Sequence, residues 1–133
     1  MTQIAVSRQV RLIIEDSSID TSDWKYQLDL WKDDGNSRVL FIRGTGGGSN
    51  SIYVEGQPIE IMAIGNSTDN VAKPMALIQE IKSLLIAYPK DTAINVPIYH
   101  FDLDGGIMTT QTKDGRPMCI LNAIAETDRN EVF

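Results

Sequence analysis

The chain has 133 residues, 42% hydrophobic and 23% charged, with a net charge of −6 and a pI near 4.6. That length and hydrophobicity fit one domain with a core of its own and exclude a disordered chain. The acidic balance argues against gripping nucleic acid through its phosphates, which takes clustered Lys and Arg, but suits a surface past which a polyanion slides without sticking. The single cysteine, Cys119, excludes an intrachain disulfide. The opening M-T-Q-I-A-V-S-R lacks the apolar run of a signal peptide, and no stretch approaches the roughly 18 apolar residues of a membrane span. A soluble protein made in a cytoplasm is expected.

In chain order, Val6, Val10, Ile13 and Ile14 recur at helical spacing within residues 2–15, with Thr2 as the candidate cap. D-S-S-I-D-T-S-D at 16–23 is a loop of turn and cap residues. Trp24, Tyr26, Leu28 and Leu30 alternate with polar residues, the mark of a half-buried strand. The turn residues Asp33-Asp34-Gly35-Asn36 separate it from Arg38–Arg43, an apolar run with charged ends that suits a buried strand, and the two runs read as a hairpin. Residues 44–56 hold Gly44, Gly46, Gly47 and Gly48 and read as a flexible connection, with a short extended piece at 51–54. Pro58 is placed at the opening of a strand over Ile59–Ile64, apolar on both faces and so central to a sheet.

The second helix is expected to start between Asn70 and Lys73, with Pro74 in its first turn, and to end at Pro89. Its apolar residues, from Val71 to Tyr88, span about 200° of the wheel, where one sheet needs nearer 100°. The excess calls for a second neighbour: the N-terminal helix, another subunit, or both. A strand over Ile94–Phe101 follows, which Pro97 marks as an edge or a bulge. Ile107–Gln111 pairs with Met118–Ala125 around the Asp114-Gly115 turn, and residues 126–133 form a loosely ordered polar tail. The whole is α+β: a single domain over 1–133, with a mostly antiparallel or mixed sheet of about five or six strands and two helices packed on one face.

Few residues suggest chemistry. The loop G-T-G-G-G-S lacks the Lys of a P-loop and is not set between a strand and a helix as a dinucleotide loop is. His100, Asp102 and Asp104 alternate along a strand, but one His and no further oxygen donors fall short of a metal site. Cys119, imagined as a nucleophile with His100 as base, sits in the apolar run M-C-I-L, where a buried inert thiol is expected. No catalytic residue, metal or cofactor is assigned, and an enzyme is not expected. Trp24 and Trp31 fall on opposite faces of one predicted strand, one for the core and the other for an interface or for simple partial burial.

The order of parts resembles a known family. An N-terminal helix is followed by W-K-Y-Q-L-D-L-W, R-V-L-F-I-R-G-T-G-G-G, P-I-E-I-M-A-I-G-N-S, a helix through L-I-Q-E-I-K-S-L-L, and late D-G-R-P-M-C-I-L-N-A. Over about residues 4–125 this layout is similar to the tail-terminator (tail-completion, minor tail) proteins of long-tailed bacteriophages. The resemblance implies a structural protein of the virion, assembled in the host bacterial cytoplasm. It implies a homo-hexameric ring on the head-proximal end of the tail tube. The ring would stop the tail tube protein from polymerising, offer a surface to the head–tail connector or head completion protein, and let genomic DNA pass through its centre. The candidate interface residues are Trp31, Gly46, Gly47, Gly48, Ser49, Asn50 and Tyr53. Two other readings stand beside it: a different head–tail joining or tube-like protein, and a small ligand- or metal-binding protein.

Overall fold

The structure, a computed structural model, describes residues 5–32, 35–45, 54–89, 96, 98–103 and 105–128. In chain order the elements are α1 (Val6–Asp16), β1 (Lys25–Leu28), β2 (Val39–Gly44), β3 (Val54–Ile64), α2 (Ala72–Ala87), β4 (Ile98–Leu103), β5 (Met108–Gln111) and β6 (Pro117–Asp128). The six strands form one sheet in the order β1-β2-β3-β6-β4, with β5 also paired to β6. The expected α+β architecture is what forms: a mixed sheet with both helices on one face.

Why the helices sit there follows from the strands' alternation. Leu40, Ile42, Ile59, Ile61, Ala63, Cys119, Leu121, Ala123 and Ala125 point to one side and join Val10, Ile13, Ile14, Leu77, Ile78, Ile81 and Leu85 of the helices in a single core. α1 lies over β1, β2 and β3, and α2 over β3, β6 and β4. β3 is central, as its two apolar faces require. The wide apolar arc of α2 is divided: Leu77, Ile78, Ile81 and Leu85 are buried, Met75 and Leu84 partly so, while Val71 and Ile86 remain exposed. Its start and its end before Pro89 are as expected, with Asn70 Oδ1 accepting the Ala72 N–H at 3.0 Å.

Five local expectations are corrected. The first helix begins at Val6, with Ala5 at the cap position and no side-chain cap bond; Thr2, the expected cap, lies outside the described residues. β1 ends at Leu28 rather than running to Leu30, because Asp29 turns the chain at φ 66°. β1 and β2 are parallel (Lys25 opposite Val39, Leu28 opposite Ile42), not a hairpin, so the chain returns to the start of β1 before β2 begins. Pro58 lies inside β3, not at its opening. It is tolerated there because its oxygen, and with it the missing N–H, faces the end of β2, where Thr45 donates to Pro58 O at 3.0 Å. The connection 44–56 and the tail 126–133 are shorter than expected: Val54, Glu55 and Gly56 pair with Asp128, Thr127 and Glu126.

Other expectations hold. β4 is an edge strand and carries a register shift between Ile98 and His100; Pro97 itself lies outside the described residues. β5 and β6 form the Asp-Gly hairpin, with Gly115 at φ 82° and Thr112 donating to Arg116 O at 2.9 Å.

Candidate assembly surfaces

The sheet's second face carries no helix among the described residues. Strand alternation places Gln27, Phe41, Arg43, Glu60, Met62, Ile64, Met118, Ile120, Asn122 and Ile124 on it, with His100, Asp102 and Met108 toward one edge. At one end Val39, Phe41, Met62 and Ile64 form a second, smaller buried cluster, with Met118 and Ile120 packed against it. Trp31 is the cover of that cluster. Past the Asp29 turn, residues 30–32 cross above β1, held by two bonds between the Gln27 amide and the Lys32 backbone at 2.9 and 3.0 Å. The Trp31 ring meets the edge of Phe41 at 5.8 Å yet stays 45% exposed. Between Trp31, Phe41, Met62, Met118, Arg43 and the 112–116 turn lies a groove of about 600 Å³. Its floor is apolar and its rim is charged, with Arg43 bonded to Glu60 at 2.6 Å. An apolar floor with a charged rim is a composition found in protein contact surfaces and in ligand pockets alike.

Two polar devices hold the groove's shape. Arg116 is 2% exposed and donates to backbone carbonyls: Gly65 O at 2.8 Å, Gly35 O at 3.0 Å, and Ser37 O. One guanidinium thereby ties the hairpin turn, the end of β3 and the approach to β2. Asp69 accepts a two-pronged bond from Arg38 at 2.8 and 2.9 Å and the Asn66 N–H at 2.9 Å. The Arg38 bonds, aided by Asn66, hold its carboxyl below the usual range. Sequence reasoning missed both; the only signal for Arg116 was its place in G-R-P, between a turn glycine and a strand.

Of the residues singled out from sequence, Trp24 is the core tryptophan, 8% exposed, and Trp31 the surface one. They do not share a strand's two faces: Trp24 precedes β1 and Trp31 follows it. Gly46, Gly47, Gly48, Ser49, Asn50 and Tyr53 lie outside the described residues, as does Asp104. His100 and Asp102 are exposed on the helix-free face, and no metal-ligating group of three occurs among the described residues. Cys119 is buried on the helix side, where burial pushes its thiol up. His100 is on the opposite face and pairs with Glu126, seven positions along β6 from Cys119, so the imagined Cys–His pair does not form.

The fold defines a small α+β protein with two helices on one face of a mixed sheet and an apolar groove on the other. The family model of phage tail termination proteins matches residues 3–127, and the chain belongs to that family. No curated protein matches it.

Proposed function

We propose that this protein is the tail terminator of a long-tailed phage. It assembles as a hexameric ring on the head-proximal end of the tail tube, ends polymerisation of the tube protein, and presents the docking surface for the head's connector. The observation that carries the reading is the family match across nearly the whole chain. The helix-free face supports it, since an apolar groove with a charged rim suits a protein partner. The net charge of −6, multiplied around a ring, keeps DNA from sticking to the lumen it passes through. The role is structural and needs no catalytic group or cofactor. Trp31 and residues Gly46, Gly47, Gly48, Ser49, Asn50 and Tyr53 are assigned to contacts with a neighbouring subunit or the tube, the latter six on sequence alone.

Electron microscopy of lysates from phage lacking the gene tests this. Tubes of abnormal, uncontrolled length are expected. Tails of normal length without heads would contradict termination and support the second reading, a head–tail joining protein.

A further inference from the structure

Among the described residues the sheet has an open edge at each end, β1 at one and β4 with β5 at the other. Natural proteins guard edges with charges, prolines or covering elements, because unpaired main-chain groups invite another strand. β5 (M-T-T-Q) has none of these guards: all four residues are exposed, none is charged, and Met108 is 56% exposed. Thr112 bonds to Arg116 across the hairpin, so by antiparallel alternation Thr110 and Met108 pair with β6, while the main chain of Thr109 and Gln111 points outward. At the other end β1 is also four residues long. Lys25 and Asp29 donate to Arg38 O and Ile42 O, so Tyr26 and Leu28 turn their N–H groups away from the sheet. Beside that edge Leu30 is 83% exposed.

We propose that the β5 edge of one copy takes the β1 edge of the next copy as an added strand, joining subunits head to tail. The occupant is a second copy because the two edges match in length and chemistry. The β1 edge carries apolar Leu30 and, just after it, cationic Lys32; the opposite edge carries apolar Met108 on β5 and anionic Asp102 on the adjoining β4. Pairing covers exposed apolar side chains and brings together edges of opposite charge. Because the two edges are different surfaces, the contact is heterologous, the kind that a ring repeats from copy to copy. This rests on the ring proposed above and names its joint.

The test uses two variants that leave the monomer's bonds intact. Thr109→Pro removes an outward N–H that no strand of its own chain uses; Leu30→Asp changes a side chain that stands in water. Native mass spectrometry of the wild-type chain is expected to show a closed oligomer, and each variant alone a monomer with a melting temperature within a few degrees of wild type. A mixture of the two is expected to give a one-to-one heterodimer and nothing larger, since each variant keeps one sound edge and the pair has only one matching joint. A wild-type oligomer that survives in Thr109→Pro would overturn the joint while leaving the ring. A Leu30→Asp dimer with monomeric Thr109→Pro would overturn it in favour of β5 pairing with itself. A wild-type chain that is monomeric at every concentration would overturn the ring itself.

Discussion

The two faces of this sheet are built by the same strands from similar residues, yet they are finished differently. Leu121 and Ile120 are neighbours on β6. Leu121 points under the helices and is fully buried; Ile120 points to the helix-free side and is only half-covered. One face is closed by two amphipathic helices and completes the core. The other is closed only at one end, by Trp31 and the turn that Arg116 anchors, and leaves an apolar groove open. The first face accounts for the fold; the second, among the described residues, keeps apolar surface open to solvent.

The sharpest contrast is between those two neighbours. Leu121→Ala is expected to cost about 4 kcal/mol in denaturant unfolding, from lost burial and an unfilled cavity. Ile120→Ala is expected to cost about 1 to 2 kcal/mol, since part of its side chain already meets water; equal losses would mean that the second face is as much core as the first. Arg116→Met should cost about 3 kcal/mol, because three carbonyls lose a charged donor at once. It should also loosen the groove, seen as faster amide exchange at residues 35–38 and 65–66, whereas unchanged exchange there would remove Arg116 as the anchor.

Gly65→Ala is expected to lose about 1 to 2 kcal/mol. Its Cβ would stand 3.0 Å from Asp69 Oδ2 and 3.1 Å from Pro117 Cγ, so the Arg38–Asp69 pair must shift. The smallest effect is that pair's pH dependence. The Asp69 carboxyl titrates below its ordinary value of 3.8 in the folded state. The stability it contributes is therefore present above that value and is lost as pH falls through the folded pKa. Asp69→Asn should flatten the loss of melting temperature below about pH 4; an unchanged acid limb would mean that the pair contributes nothing there.

Much of this was legible in the sequence because periodicity states which residues share a face. It found both helices, the central place of β3 and the Asp-Gly hairpin. Strand direction was not legible: D-D-G-N reads as a tight turn, and nothing local says that Asp29 turns the chain at positive φ or that β2 runs parallel to β1. Gly56 and Pro58 hid the first half of β3, since both residues weaken a strand wherever a full ladder surrounds it. They are tolerated because β2 has ended beside them. Arg116 was hidden for a different reason. A buried arginine normally advertises a carboxylate partner, and this one is satisfied by carbonyls contributed from positions far apart in the chain. Trp31 was assigned to an interface on residue type, and the fold places it beside the open groove, although its route there, past the end of β1, was not foreseen.

The central claim, that this chain stops a growing tube, is tested most directly by polymerising the purified tube protein of the same phage with increasing amounts of the purified chain and measuring tube lengths by electron microscopy. The account predicts that tubes shorten as the chain is added, each capped at one end by extra density. Tubes of the same length at every ratio, with bare ends, would contradict it.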